Sequence, residues 1–403
     1  MNPISHMSRQ LATAETQDLQ GIRILVIMPS IPILGTERSN LQIMKMMRER
    51  GADVLFITHQ RYGQQLQQEV EWIGCRWAVA SLDELLRLPK SPSEVWKLFH
   101  AWMKAALQID QIYRLYQPTH IHVANMGYFI YALPTLWRAR QKVVYCLPNP
   151  PDMTIAGIKQ HIYNAIWRYL IIPACDLFVC NSYYTLSELK KLLLCKEKAR
   201  VIYYCLPERP GLRTSDAPEL DHEKFNIVFI GQMRPWKGVR ELVEVALHMV
   251  REYPDVNFYF AGDYNWNNAF AQGLLKTVTS QGLQSRIHFL GRVANIFDLL
   301  AQADLHVCPS IFEEPFGLVV LEAKSQGKPS VVFPSGGLKE IVTHHVDGYI
   351  CRDKSVAALS EGIHFFLDNR DVLHTAGIAA RQSLERFSRE RISDEWAEVF
   401  RYS

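Results

Sequence analysis

Short apolar runs, rich in β-branched residues, alternate along this chain with longer segments in which apolar positions recur every three or four residues. The first run, Ile22 to Met28, is predicted as a strand. Pro29 to Thr36 carries Pro, Gly and Ser and is predicted as a loop. From Glu37 to Arg50 the apolar positions 41, 43, 44 and 47 approach helical spacing, and Gly51 closes the helix. Asp53 to Thr58 is the next strand. Further strands are predicted at 119–124, 142–147 and 175–180, with helices near 92–116, 127–139, 155–171 and 183–194. Strands separated by helix-length connections call for a parallel sheet covered on both faces.

The rhythm breaks at 205–222, where Pro and polar residues suit a linker. It then restarts, with strands predicted at Phe225–Gly231, Val256–Gly262, Arg286–Leu290, Asp304–Pro309 and Ser330–Phe333, and a helix body at Val239–Arg251. The pattern predicts an α/β fold of two doubly wound, Rossmann-like domains facing across a cleft, at 21–205 and 223–388, joined by a linker at 206–222. Residues 1–20 are polar, lack the apolar core of a secretory signal and are expected as a flexible tail. Ligands of such sheets bind beyond the carboxyl ends of the strands, so the loops after strands are where chemistry is sought.

At 403 residues, 48% apolar and 21% charged, the chain can bury two ordinary cores. No apolar stretch reaches the roughly 18 residues of a membrane span; the longest, Tyr169 to Cys180, is broken by Pro173 and Asp176. The eight cysteines show no metal-like spacing and are expected as free, buried thiols in a reducing compartment. Residues 1–210 carry 24 Lys+Arg against 16 Asp+Glu, while the remainder carries 20 against 25. A basic first half suits an anionic partner, either a phosphate-bearing substrate or a lipid surface. No basic helix, basic tail or RNA-binding signature points to nucleic acid.

Two strand–loop–helix segments carry the candidate chemistry. In Pro309-Ser-Ile-Phe-Glu-Glu-Pro-Phe-Gly317, a strand gives way to a turn and then to a helix that ends at Gly327. A helix start offers unpaired N–H groups and partial positive charge, which suits a phosphate. Glu314 precedes that start, and Glu322, four residues after Leu318, lies on the face of its first turn. Carboxylates beside a phosphate seat are favourable when sugar hydroxyls donate to them. In Phe229-Ile-Gly-Gln-Met-Arg-Pro-Trp-Lys-Gly238, Arg234 and Lys237 follow a strand end and suit a diphosphate leaving group.

These residues resemble the retaining glycosyltransferases of family four, which have the GT-B fold. The family's pair of glutamates separated by seven residues around a Phe-Gly turn reads here as Glu314, Phe316-Gly317 and Glu322. Its phosphate loop reads as Gly231, Gln232 and Lys237-Gly238. Ala261-Gly-Asp263, Phe289-Leu-Gly-Arg292, Ser335-Gly-Gly337 with Glu340-Ile-Val342, and Asp347-Gly348 follow in family order, so the resemblance covers most of 225–390. The first half matches more loosely, through Gly35-Thr-Glu-Arg38 and through Asp176 followed by Asn181-Ser182.

The resemblance implies an acceptor domain at 21–205 and a nucleotide-sugar donor domain at 223–388, with a final helix, about 389–403, packing back on the first domain through Ile392, Trp396, Val399 and Phe400. It implies that Lys237 and Arg234 hold the donor diphosphate, aided by Gly231 and the backbone of Phe316, Gly317, Leu318 and Val319. Glu322 would accept from the ribose hydroxyls, Glu314 would contact the transferred sugar, and Val293 would meet the base through its backbone. Gly35, Thr36 and Asn149 would stand on the acceptor or phosphate side. The donor would be a UDP- or GDP-type sugar, with no cofactor. The acceptor would be a sugar, or lipid-linked or phosphate-bearing. The setting would be cytoplasmic, with peripheral contact at the inner membrane face. No Asp-x-Asp pair occurs to hold a cation against a diphosphate, so metal independence is expected.

Three departures stand against the family pattern. Gln232 replaces the usual Arg, Pro148 falls where a His is common, and only Gly35 remains of a glycine pair. They leave open a non-catalytic subunit, and the architecture leaves open a sugar-nucleotide epimerase. A Rossmann oxidoreductase is disfavoured, since no Gly-x-Gly-x-x-Gly follows a strand. His120 and His122 share a face and either line the cleft or pack inside. The tryptophans of the first half, Trp72, Trp77, Trp102, Trp137 and Trp167, are expected mostly in the core. So is the apolar face of Ser93–Tyr116, with a membrane-facing helix as the alternative.

Overall fold

The computed structural model describes residues 17–28, 33, 35–59, 63–81, 91–124, 126–151, 158–192, 198–206, 217–263 and 268–402. The first half runs β1 (Arg23–Ile27), α1 (Gly35–Glu49), β2 (Asp53–His59), α2 (Gln64–Trp72), β3 (Arg76–Ala80), α3 (Pro92–Tyr116), β4 (His120–Val123), α4 (Met126–Arg138), β5 (Lys142–Leu147), α5 (Ile158–Ile166), β6 (Leu177–Cys180), α6 (Tyr183–Leu192) and β7 (Ala199–Val201). The second runs β8 (Phe225–Ile230), α7 (Val239–Glu252), β9 (Val256–Ala261), α8 (Ala269–Ser280), β10 (Ile287–Gly291), α9 (Ile296–Gln302), β11 (Leu305–Cys308), α10 (Leu318–Ser325), β12 (Ser330–Val332), α11 (Leu338–Ile341), β13 (Gly348–Ile350), α12 (Val356–Leu367), α13 (Arg370–Gln382) and α14 (Arg389–Tyr402).

All strand pairs are parallel. The orders are β3-β2-β1-β4-β5-β6-β7 and β10-β9-β8-β11-β12-β13. Each order reverses direction beside its first strand, which opens a crevice at the carboxyl edge between β1 and β4 and between β8 and β11. These are two Rossmann-like domains, and their carboxyl edges face each other.

Several elements escaped the hydrophobic pattern. The edge strand β3 is exposed at three of its five positions, so its residues do not read as a buried run. β7 and β13 are only three residues long. Helix α1 begins at Gly35, so Gly35 and Thr36 are helical residues and not the end of a loop. The segment predicted as one helix to 171 is α5 followed by a π-turn at Trp167–Ile171. Residues 207–216 of the expected linker lie outside the described residues, as do residues 1–16. Residues 17–20 are anchored rather than loose: Leu19 is fully buried, and Asp18 pairs with Arg50 (2.5 Å) and with Arg401.

Helix α14 lies on the first domain. Ile392, Trp396, Val399 and Phe400 are all buried in one apolar cluster with Ile24, Val26, Met44 and Met47. His120 and His122 are the floor under this helix, not cleft residues. Their rings meet Phe400 and Trp396 edge-on at 5.5 and 5.6 Å. His122 Nε2 bonds to Asn40 Oδ1 at 2.8 Å, and full burial lowers its pKa to about 3, so it stays neutral. The same cluster continues into the second domain through Phe316, Val320, Leu338 and Ile341.

The expectation for the tryptophans fails in most cases. Trp167 is buried and Trp102 is half-buried, whereas Trp72, Trp77 and Trp137 are exposed. The apolar side chains near the start of α3 are exposed as well, against the core-facing expectation. The seven described cysteines are free and buried. Burial pushes the thiols of Cys146 and Cys308 up to about 12, so neither supplies a thiolate.

Trp396→Ala removes the largest side chain of the α14 seam. It is expected to cost about 3–5 kcal/mol, read as a lower urea midpoint of the transition that reports on the first domain.

Candidate active site

Two strand-end loops of the second domain meet at the crevice between β8 and β11. After β8 the chain turns through Gly231 and the buried Met233, makes one 3-10 turn at Pro235–Lys237, and enters α7 at Gly238. Gly238 has φ +70°, and a Cβ there would stand 1.7 Å from the Pro309 carbonyl oxygen. Only glycine lets the two loops approach so closely. The contact aims Lys237 across the crevice, where its Nζ lies 2.5 Å from Glu314 Oε2. Ser310 Oγ donates to the same carboxylate oxygen at 3.0 Å. Burial pulls the Lys237 pKa down, but the Glu314 charge outweighs it and the net shift is upward. Arg234 is not part of this group: it is exposed, with its guanidinium over the Trp236 ring.

The loop Pro309–Gly317 has no regular structure and is held by its neighbours. Glu314 N–H donates to Ser335 Oγ (2.9 Å), whose hydroxyl donates to the Phe312 carbonyl (2.6 Å). Gly337 N–H donates to the Glu314 carbonyl (2.8 Å), and Gly336 N–H to Glu313 Oε2 (2.5 Å). Lys354 pairs with Glu313 at 2.5 Å; burial pushes that carboxyl up, but the bonds from Lys354 and from Gly336 N–H outweigh it and hold it below its ordinary range. Gly317, at φ +112°, then releases the chain into α10.

One helical turn along, Glu322 is buried. Burial raises its carboxyl to about 7, and the positive charge of Arg38 on α1 opposes this only in part. The start of α1 overlies the start of α10: a Cβ on Gly35 would touch Leu318 at 3.4 Å. Phe316 is buried, and Leu318 and Val319 are half-buried against the cluster shared by the two domains. Val293 lies past β10 at the outer end of the same sheet edge, apart from the Lys237–Glu314 pair and packed with Leu220, Leu299 and Leu300. Asn149 is exposed just after β5, while the neighbouring Pro148 carbonyl accepts from Asn181 Nδ2 (2.9 Å).

Across the crevice the two domains are joined through Glu340 of the second and Ser182 of the first, both of which stand in the sequence only as motif letters. Glu340 of α11 seats its carboxylate on the start of α6, accepting from Tyr183 N–H (2.8 Å) and Tyr184 N–H (2.7 Å). A carboxylate on two free amides of a helix N-terminus is favourable through both hydrogen bonds and dipole. Tyr203 Oη donates to it as well (3.1 Å). Ser182 Oγ donates to the Pro315 carbonyl at 2.6 Å, tying the first domain to the Glu314 loop itself. The Ser335–Glu340 motif was the available signal, although nothing in it names α6 as the partner.

Two family models match the chain. The one described as "Glycosyltransferase Family 4" covers residues 33–206, and the one described as "Glycosyl transferases group 1" covers residues 213–383. The chain is 26% identical over 290 residues to the N-acetyl-alpha-D-glucosaminyl L-malate synthase of Bacillus anthracis, covering 70% of this chain and 73% of that protein. It is 33% identical over 168 residues to the N,N'-diacetylbacillosaminyl-diphospho-undecaprenol alpha-1,3-N-acetylgalactosaminyltransferase of Campylobacter jejuni, covering 41% of this chain and 42% of that one. The crystal structure of Anabaena HepE in complex with UDP and glucose superposes with a TM-score of 0.74 at 20% identity, covering 95% of this chain and 100% of that chain.

Two outcomes follow from the geometry. A carboxyl whose pKa is near 7 when folded and 4.5 when unfolded lowers stability as pH rises between those values, and has no effect below them. Glu322→Gln is therefore expected to match wild type at pH 4 and to exceed it at pH 8 by roughly 2–3 kcal/mol, read from urea midpoints at both pH values. Glu340→Ala removes the acceptor of the two α6 amides. It is expected to open the domains, seen as a larger radius of gyration by small-angle X-ray scattering with unchanged far-UV circular dichroism.

Proposed function

Because the chain belongs to the family-four glycosyltransferases, we propose that it moves a sugar from a UDP- or GDP-type donor to an acceptor hydroxyl with retention at the anomeric carbon and without a metal. The observation that carries this reading is the meeting of Lys237, Ser310 and Glu314 at the crevice one turn before the start of α10. A donor diphosphate takes the Lys237 cation in exchange for Glu314. The Leu318 and Val319 amides at the start of α10 add their N–H groups. Arg234, exposed beside Lys237, swings onto the same diphosphate.

Freed from Lys237, the Glu314 carboxylate accepts from hydroxyls of the transferred sugar. Glu322 ionises to accept from the ribose hydroxyls, and the backbone at Val293 meets the base. The bond from the anomeric carbon to the diphosphate oxygen breaks while the acceptor oxygen bonds on the same face. The acceptor's proton passes to the departing phosphate oxygen, so no protein base is required. Lys237, Arg234 and the α10 dipole stabilise the charge that builds on the leaving diphosphate. The sequence holds no Asp-x-Asp pair, and in this reading Lys237 and Arg234 take the part a metal plays against a diphosphate.

The acceptor side belongs to the first domain, around Gly35, Thr36 and Asn149. The excess of Lys and Arg over residues 1–210 favours a phosphate-bearing or lipid-linked sugar, used from the cytoplasm at the inner membrane face. The Campylobacter relative, whose acceptor by its name is carried on diphospho-undecaprenol, supports that class. Among the described residues no helix is long and apolar enough to cross a membrane, so such contact would be peripheral.

The test is a thermal-shift panel of UDP, GDP, ADP and their sugars in EDTA. One nucleotide is expected to raise the melting point, by the equivalent of about 2.7 kcal/mol at a hundredfold excess over Kd. Lys237→Ala and Glu322→Ala are each expected to abolish most of that shift. A flat panel, together with no transfer to any acceptor, would favour a non-catalytic subunit. Release of free isomerised nucleotide sugar without an acceptor would favour an epimerase.

A further inference from the structure

The first turns of α3 are built as a helix and have no core to rest on. Ser91 caps the helix by accepting from Glu94 N–H (3.3 Å), and Pro92 occupies its first turn. Yet no residue from 93 to 104 is buried, and Ala105 is the first that is. The helix is tied to the sheet only farther along. Gln108 accepts from Ser81 N–H just past the end of β3 (2.7 Å), and Tyr116 Oη donates to the Asp53 carbonyl at the opposite edge of the sheet (2.7 Å). The Trp102 indole donates to the Ile130 carbonyl of α4 (2.9 Å). The turns before these ties project past the carboxyl edge of the first sheet, on the side where the two domains meet.

The projecting part is not polar. Val95, Trp96, Phe99, Met103 and Leu107 form a stripe along one side, all exposed, with Trp96 at 64% and Leu107 at 63%. Trp96 and Phe99 meet edge-on at 6.2 Å, and Phe99 and Trp102 lie 5.9 Å apart. Short helices are marginal in water without a packed face, so a capped arm with an aromatic stripe calls for a partner. Lys97, His100 and Lys104 flank the stripe, and no acidic residue stands between Glu94 and Asp110. Asp110 is already paired with Arg114 (2.9 Å) and Arg138 (2.8 Å).

We propose that this arm is the surface by which the protein docks on an anionic lipid bilayer, with the Trp96–Leu107 stripe sunk at the headgroup boundary and Lys97 and Lys104 on lipid phosphates. The composition is that of an interfacial helix: bulky aromatic and aliphatic side chains on one side and basic groups beside them. A second copy of the chain fits less well. Two stripes face to face would bring their lysines together. Docking here would hold the mouth of the cleft at the level of the headgroups, where a sugar on a lipid carrier emerges. In that respect the inference rests on the reading of a lipid-linked acceptor.

Flotation of the full chain with vesicles of phosphatidylcholine, with and without phosphatidylglycerol, tests the proposal. Wild type is expected to float with the anionic vesicles and to be released by high salt. Trp96→Ser, Phe99→Ser and Met103→Ser together are expected to reduce flotation at least tenfold. Lys97→Gln with Lys104→Gln is expected to abolish the preference for anionic lipid. All five positions are exposed, and the nucleotide-induced thermal shift serves as the control for folding. That shift also separates the two readings: an intact shift with no flotation overturns the docking surface alone, and a flat shift with salt-sensitive flotation overturns the donor site alone. Flotation of the triple variant equal to wild type overturns the assignment to α3. So does a wild-type dimer in solution that the triple substitution converts to monomer, since the stripe would then belong to a second copy.

Discussion

The hydroxyl of Ser335 holds the Glu314 loop in shape, and the rest of the cleft depends on that loop. Between the end of β11 and the start of α10 the chain has no ladder or helix to satisfy its backbone groups, and buried backbone polar groups are costly to leave unpaired. Ser335 accepts from one of them and donates to another. The Gly336–Gly337 turn comes so close that a Cβ would stand 2.2 Å from the Glu314 carbonyl oxygen at one position and 2.5 Å from that of Pro315 at the other. Side chains there would push the loop out of the crevice and separate Glu314 from Lys237.

The same loop is where the two domains are fastened. Ser182 reaches the Pro315 carbonyl, Glu340 caps α6, and Phe316 packs against Tyr203 and Tyr204 of the first domain at ring distances of 5.9 and 5.4 Å. Helix α14 seals the first domain over His120 and over His122, which burial keeps neutral. Site geometry and domain closure are therefore one problem here. A change that loosens the interface also moves the carboxylate opposite Lys237, and a ligand that takes Lys237 from Glu314 acts on the segment that joins the domains.

Helix α3 shows a conflict between local and tertiary preference. Its cap, its Pro and its spacing all specify a helix, and its apolar content specifies burial, yet the fold buries only its second half. Conflicts of this kind, unrelieved among the described residues, mark places where a fold serves something outside itself.

The alternation of strand and helix and the two Rossmann-like domains were legible in the sequence, because periods of 2 and 3.6 residues are local properties. The failures follow from the same physics. The edge strand β3 has one side in water, so its residues carry no apolar run. Trp96 and Trp167 are alike as letters, and only packing decides that one is bare and the other buried. Lys237 and Glu314 are 77 residues apart, and what joins them is a glycine at 238 that admits the Pro309 carbonyl. Glu340 could be read as a motif letter but not as the cap of α6, since that contact spans two domains. Local order was written in the residues; which surfaces meet, and which meet nothing, was decided only when the two sheets turned their carboxyl edges toward each other.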